Sequence, residues 1–141
     1  MAAVRGKDTA LEQKVRKPLH NRGFRYRLHD NSLPGKPDIV LRKYGAVIQV
    51  HGCFWHGHQC PLFKMPESRR EFWEPKILGN VARDAEVDRQ LRQSGWRVGT
   101  VWECAFKGKG RLPEHQVTDL LENWLLTDAG SIEIRGTQFS A

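Results

Sequence analysis

The chain has 141 residues, a net charge of +7 and a sequence pI of about 9.7. This length suits one domain over 1–141 with a core that needs no disulfides, and no apolar run approaches the ~20 residues that cross a bilayer. The N-terminal MAAVRGKDTA lacks the apolar segment of a secretory signal, so we expect a soluble, intracellular protein. A pI above roughly 9 is typical of nucleic-acid-binding domains, and an ordinary solvated surface is the alternative.

The first half of the sequence predicts one helix followed by three strands. Thr9 and Glu12 have the spacing of a capping box, and Pro18 is expected to end or kink the helix. The expected elements are a helix over 8–17, a half-buried strand over 24–30, a turn over 31–37, and a hairpin of strands over 38–43 and 45–51.

The second half predicts two helices around one strand. Asn80 is a candidate N-cap and Gly95 a stop signal for the first of these helices. The expected elements are a charged helix over 79–95, a buried strand over 96–103, an amphipathic helix over 111–126 and a weakly structured tail over 127–141. This order predicts a mixed α/β fold of the α+β kind.

Two of the three cysteines lie close to histidines in the sequence. The odd number of cysteines argues against a disulfide framework, and clustered Cys and His in a reducing compartment favour metal binding or catalysis. Cys53, His58 and Cys60, together with the distant Cys104, form a complete tetrahedral set for Zn²⁺. Buried thiols that act as small apolar groups are the alternative. We favour one structural zinc, because it uses every cysteine.

Two histidines of HGCFWHGHQC remain after that assignment. His51 and His56 are candidates for acid–base chemistry, and exposure to solvent is the alternative. Asp38 begins one predicted strand and His51 ends the next. This arrangement is similar to the PD-(D/E)xK nuclease core, in which an Asp and an acid-x-Lys gather Mg²⁺ and a water at the scissile phosphate. Gln49-Val50-His51 occupies the acid-x-Lys position but contains neither the acid nor the lysine.

Six stretches closely resemble the very-short-patch repair endonucleases: KDTALE, SLPGKPDIV, HGCFWHGHQC, EFWEPKI, NVARD and LRQSGWRVGTVWEC. The resemblance runs from about residue 5 to residue 106. It implies a restriction-endonuclease-like core with a central mixed sheet, Mg²⁺-dependent nicking of DNA 5′ of the T in a T·G mismatch, and one structural Zn²⁺. It also implies a bacterial cytoplasmic, nucleoid-associated enzyme with mismatch-repair proteins as candidate partners. A nick needs one active site, so we expect a monomer.

The resemblance assigns the catalytic magnesium to Asp38 and the backbone carbonyl of Val50. Glu12 would reach one or two Mg²⁺ ions through ordered waters. Magnesium held by few carboxylates and many waters can neutralise the phosphate and stabilise the leaving oxygen.

The resemblance also implies that His56 is the base that activates the attacking water and that Asp84 orients it. His51 would lie beside the phosphate and stabilise charge. Lys76, Asn80 and Asp84 repeat every four residues and therefore share one helix face. A plain solvated face is the alternative for these three residues.

Two interpretations of the aromatic residues remain open. Phe54 and Trp55 would pack around the zinc, or they would enter the duplex as apolar wedges between base steps. The resemblance implies that Phe54, Trp55 and Trp73 enter beside the mismatch, and that Lys76 and Asn80 contact a phosphate or base. The three remaining tryptophans are assigned to the core: Trp96, Trp102 and Trp124.

Relatives carry a basic N-terminal arm before RGKDT, and this sequence begins four residues before that motif. We therefore expect weaker DNA affinity than in an armed enzyme. Two alternative functions remain: a restriction-like or mobile-element nuclease of the same superfamily, and a non-catalytic, zinc-stabilised DNA-binding module.

Overall fold

The computed structural model describes residues 10–137, which form a five-stranded sheet with helices on both faces. The helices are α1 (Ala10–Asn21), α2 (Arg70–Gln93) and α3 (Glu114–Leu126). The strands are β1 (Arg27–Leu28), β2 (Ile39–Leu41), β3 (Ala46–His51), β4 (Arg97–Trp102) and β5 (Ser131–Ile134). The predicted mixed α/β class is confirmed. No helix within the described range is long and apolar enough to cross a membrane.

The strands lie in the order β1-β2-β3-β4-β5. The pairs β1–β2 and β2–β3 are antiparallel, whereas β3–β4 and β4–β5 are parallel. The carboxyl ends of β3 and β4 therefore meet at one edge of the sheet, where His51 lies opposite Trp102. The same edge receives the loop that follows β3 and the 3₁₀ turn Glu103–Ala105 that follows β4.

Apolar side chains on alternate strand positions cover both faces of the sheet. On one face, Ile48 lies in the main core with α1 and α3, whose Leu19 and Leu121 are fully buried. On the other face, Val47 packs in a smaller cluster with Leu91 of α2. Burial of one such side chain stabilises a fold by roughly 1.5–3 kcal/mol. Both clusters therefore fix the position of β3, whose carboxyl end meets that of β4 at one edge of the sheet.

Two predicted helix boundaries are wrong. Helix α1 continues through Pro18 to Asn21, because Leu19 is fully buried and the chain leaves the helix only at Gly23, where φ is 96°. The Thr9 cap lies outside the described residues. Helix α2 begins at Arg70 and runs through Pro75, so Asn80 is an interior residue and not a cap.

Tertiary contacts stabilise the early start of α2. Pro75 removes one backbone hydrogen bond from the helix. Against that loss, Ile77 is buried, and the ring of Trp73 lies 5.4 Å from that of Phe54. These contacts join residues far apart in sequence, so local pattern could not predict them. The predicted stop at Gly95 is confirmed by its φ of 91°.

The predicted hairpin is confirmed, with Ile39 opposite Ile48. Its connection is longer than a tight turn, because a 3₁₀ turn (Arg42–Tyr44) precedes Gly45, where φ is 60°. The strand predicted over 24–30 is also shorter, since only Arg27–Leu28 pair with β2.

The predicted weakly structured tail is wrong for residues 131–134. These residues form β5, an edge strand parallel to β4, and Ile134 is buried in the main core. A four-residue strand with exposed alternate positions has a weak local signal. Residues 138–141 lie outside the described range.

Candidate functional site

Asp38 lies beside the end of β3, as the predicted hairpin requires. Its Oδ2 accepts a hydrogen bond of 2.7 Å from the backbone N–H of Val50. This contact orients the carboxylate and brings it close to the main chain of the proposed second ligand. Burial, together with the charge of Glu12, raises the pKa of Asp38 to about 6. A cation at this carboxylate would relieve that unfavourable charge.

Glu12 from α1 and His29 from the loop after β1 lie around Asp38 and complete a first group of candidate metal ligands. The ligand atoms of these three residues lie within 4.8 Å of one another. Glu12 is 1% exposed, and its Oε1 lies 2.9 Å from Nε2 of His29. Its other oxygen forms an ion pair of 3.3 Å with Arg16. The oxygen-rich set of Asp38, Val50 and Glu12 therefore fits the donors that Mg²⁺ prefers.

A second group joins the two histidines that the zinc assignment leaves over. His56 Nδ1 lies 2.5 Å from Asp84 Oδ2, so the carboxylate selects the tautomer that leaves Nε2 free to accept a proton. The rings of His51 and His56 stack, with centroids 3.8 Å apart and planes at 7°. Burial, then the neighbouring His56, lowers the pKa of His51 to about 3, so His51 is neutral at physiological pH.

The stacking of the two rings decides between acid–base chemistry and metal binding at this group. An imidazole lone pair lies in the plane of its ring, so two parallel rings at 3.8 Å cannot both direct a lone pair at one ion. The arrangement instead suits proton transfer by His56.

The four predicted zinc ligands come together in a third group. The ligand atoms of Cys53, His58, Cys60 and Cys104 all lie within 4.8 Å of one another. Nδ1 of His58 lies 3.4 Å from Sγ of Cys53 and 3.7 Å from Sγ of Cys104. A tetrahedral zinc with bonds of about 2.3 Å to sulfur and about 2.1 Å to nitrogen separates such atoms by about 3.6 Å. The distances fit the ion.

The shifted pKa values of the His58, Cys53 and Cys104 side chains are also consistent with a cation between these ligands. Burial lowers the pKa of His58, which keeps its imidazole in the neutral, ligating form. Burial raises the pKa of the Cys53 and Cys104 thiols, so their thiolates need a positive charge between them. The Cys₃His set is closed by protein ligands, as structural zinc sites are.

The loop that carries His56, Gly57 and His58 packs closely on α2. Gly57 has φ of 59°, and a Cβ there would lie 2.8 Å from Val81 and 3.0 Å from Ile77. Only glycine fits this close approach, because it has no Cβ and accepts a positive φ. Asn80 adds a hydrogen bond of 2.9 Å from Nδ2 to the carbonyl of Trp55. Helix α2 thus holds the loop and supplies Asp84 from one face.

The aromatic residues form a partly exposed cluster next to His56 in the chain. Trp55 is 49% exposed, and its ring lies 5.2 Å from Phe54 and 5.6 Å from Trp73. The exposed Lys76 follows on α2. This cluster does not enclose the cysteines, which pack on Trp102 instead. Its exposure favours the wedge interpretation over packing around zinc.

The three tryptophans assigned to the core have different environments. Trp124 is 3% and Trp102 is 8% exposed, which confirms both as buried, and Trp96 is half-buried against the smaller cluster. Trp102 has a further role that sequence reasoning missed. Its ring stacks on His58 at 3.8 Å, and its Nε1–H donates to Glu133 at 2.7 Å.

His29 was also missed by sequence reasoning. It follows a short strand and precedes a turn-rich segment, where a polar residue has no distinctive pattern. The only available signal was its placement eight residues before Pro37, close to the strand that begins with Asp38.

Comparison with known proteins identifies the family. A family model described as DNA mismatch endonuclease Vsr matches residues 1–62. The DNA mismatch endonuclease Vsr of Escherichia coli is 45% identical over 134 residues, covering 95% of this chain and 86% of the relative. The type II nicking enzyme V.XorIIP of Xanthomonas oryzae pv. oryzae is 46% identical, covering 86% of this chain and 89% of the relative. With the site's geometry, these similarities show that the chain belongs to the Vsr DNA mismatch endonuclease family.

Proposed function

We propose that this protein is a DNA mismatch endonuclease that nicks double-stranded DNA 5′ of the T in a T·G mismatch. The observation that carries the proposal is the half-buried Asp38 held at Val50, next to His51 of the His51, His56 and Asp84 group, in a chain 45% identical to a mismatch endonuclease. Such a nick would begin the repair of deaminated 5-methylcytosine.

The reaction is phosphodiester hydrolysis with His56 as the general base. Nε2 of His56 takes a proton from water, whose oxygen bonds to phosphorus as the bond to the leaving oxygen breaks. Asp84 holds Nδ1 of His56 at 2.5 Å and stabilises the imidazolium that forms. His51 is neutral, so it stabilises the developing charge by donating a hydrogen bond and not as a cation.

Asp38, with the backbone carbonyl of Val50, would hold one or two Mg²⁺ ions, and Glu12 would contact their waters. Bound Mg²⁺ would supply charge neutralisation at the phosphate and the leaving oxygen. The Asp38 carboxylate is oriented for this role by the N–H of Val50.

Cys53, His58, Cys60 and Cys104 would hold one structural Zn²⁺. The proposal is supported by the closeness of the four ligand atoms, all within 4.8 Å of one another, and by the burial of Cys53, His58 and Cys104. Closure of this set would brace the loop that carries His56 and the exposed Trp55.

The exposed aromatics suggest how a mismatch would be selected. Phe54, Trp55 and Trp73 would enter the base stack, where a mispaired step costs less to open than a matched one. Lys76 and Asn80 would then contact a phosphate or base. The side chain of Asn80 donates a hydrogen bond to the carbonyl of Trp55, so it lies beside one of these aromatic residues. We also propose that the protein acts as a monomer on DNA in the bacterial cytoplasm, with mismatch-repair proteins as partners.

A nicking assay tests this function. Labelled duplexes that carry T·G or C·G at one position, and the labelled single strand, are incubated with Mg²⁺ and with the protein or its Asp38→Ala variant. We expect nicking of the T·G duplex by the unaltered protein alone. Equal cutting of the matched duplex would favour the alternative function, a restriction-like or mobile-element nuclease. Binding without cutting under every metal condition would favour the non-catalytic module.

A further inference from the structure

We infer that His29 is a positioning residue that fixes the spacing of the Glu12 and Asp38 carboxylates at the metal site. The inference rests on the proposed function of that site. His29 touches both acidic residues, each through a different part of its structure. Its ring reaches Glu12, with Nε2 2.9 Å from Oε1, and its backbone N–H donates to the carbonyl of Asp38 at 3.1 Å.

The ring contact stabilises a charge that the core would otherwise disfavour. Glu12 is 1% exposed, and its carboxylate lies close to that of Asp38. Two carboxylates this close, one of them buried, repel each other unless donors compensate them. Arg16 faces one oxygen of Glu12 at 3.3 Å, and His29 faces the other. With both oxygens held, Glu12 has one orientation towards the site.

The backbone of His29 has an unusual conformation that serves the same arrangement. Its φ is 51°, in the left-handed region that residues with a Cβ rarely adopt. His29 comes directly after Leu28, which pairs with Ile39, so the chain turns at the position opposite Asp38. A strained residue that contacts two functional groups is typical of a site whose geometry matters.

Direct coordination by His29 is the competing explanation. An imidazole would bias the site towards Mn²⁺ and other transition metals over Mg²⁺. Nε2, however, already faces Glu12 at hydrogen-bond distance. A nitrogen that donates its proton to Glu12 has no lone pair for an ion. In this tautomer Nε2 is not available to an ion, and the ring contact gives His29 a role that acts through Glu12.

Three substitutions separate the ring contact from the backbone conformation. His29→Gln places an amide N–H where it can reach Glu12. His29→Asn tolerates the left-handed conformation well but is too short to reach that carboxylate. His29→Ala removes the contact altogether, and His115→Asn, at an exposed position on α3, is the control.

The measurements are the Mg²⁺ concentration for half-maximal nicking and the affinity of the DNA-free protein for Mn²⁺ by electron paramagnetic resonance. We expect His29→Asn and His29→Ala to raise the Mg²⁺ concentration for half-maximal nicking and to weaken Mn²⁺ binding, each by at least about tenfold. Loss of a charge-assisted hydrogen bond predicts a change of this size. His29→Gln and the control should stay within about threefold of the unaltered protein. Mismatched-DNA affinity without Mg²⁺ should not change in any folded variant.

Several results would overturn the inference. One is equal loss in His29→Gln and His29→Asn, and another is unchanged Mn²⁺ affinity in His29→Asn. A third is a ¹⁴N coupling of a directly bound imidazole to Mn²⁺ that disappears in His29→Gln. Failure of the proposed function is distinguishable, because an inert unaltered protein would still give the Mn²⁺ affinities.

Discussion

Replacing Asp38 with asparagine should make the magnesium-free protein more stable while it abolishes nicking. The variant keeps the size of the side chain and an oxygen that can accept the N–H of Val50. It removes a carboxylate charge whose burial raises the pKa to about 6 from the ordinary 3.8. This pKa difference means that ionised Asp38 destabilises the folded state by about 3 kcal/mol.

The pH dependence follows from the direction of that shift. Because the pKa of Asp38 is raised on folding, the folded chain binds an extra proton between pH 3.8 and about 6. The stability of the unaltered protein therefore falls as the pH rises through this window, and the full penalty remains above it. The advantage of Asp38→Asn should be about 3 kcal/mol at pH 7.5 and about half of that at pH 5.

Urea denaturation at both pH values, with zinc in fixed excess and no magnesium, measures the difference. Asp30→Asn is a matched control, because hydrogen bonds from Ser32 lower the pKa of Asp30 and its charge is favourable. That variant should be slightly less stable than the unaltered protein. Added Mg²⁺ should stabilise only the chain that keeps Asp38. An Asp38→Asn advantage that is absent at pH 7.5, or that is the same at both pH values, would refute the reasoning.

Substitutions at three further positions test other parts of the structure. Asp84→Asn removes the carboxylate that holds His56 and should slow single-turnover nicking by roughly 10²–10⁴-fold at an unchanged melting temperature; a rate within threefold would contradict that role. Cys104→Ser should lose zinc by elemental analysis and melt at least about 10 °C lower, and a chelator should then destabilise only the unaltered protein. Arg97→Met removes guanidinium hydrogen bonds to the carbonyls of Trp124 and other residues at the end of α3, so urea denaturation should show a loss of about 2–3 kcal/mol, with Arg97→Lys intermediate.

The sequence predicts the site residues better than it predicts the elements that carry them. HGCFWHGHQC contains the candidate ligands, the candidate base and two aromatics within ten positions; residue chemistry separates the zinc candidates, and the resemblance assigns the other roles. The hairpin around Gly45 is also local, since a turn signal lies between two β-rich runs. These features depend on neighbours in sequence, which pattern analysis can detect.

The incorrect predictions depend on distant contacts. The start of α2 at Arg70, nine residues before the predicted start at 79, depends on packing against the loop around Gly57. The role of His29 depends on a partner in α1 that lies 17 residues earlier. Strand β5 (Ser131–Ile134) exists because β4 has a free edge and the core has space for Ile134. None of these partners is visible in a local window.

Trp102 connects the zinc cluster to the proposed catalytic base. Its ring stacks on His58 at 3.8 Å and meets His51 and His56 edge-on at 5.2 and 6.3 Å. The indole is itself held by the hydrogen bond to Glu133 on β5. Displacement of His58 would therefore shift a ring that also packs edge-on against the two histidines of the proposed catalytic group. The strand that local pattern missed thus supports the proposed site, because its Glu133 anchors a side chain that makes ring contacts with His51, His56 and His58.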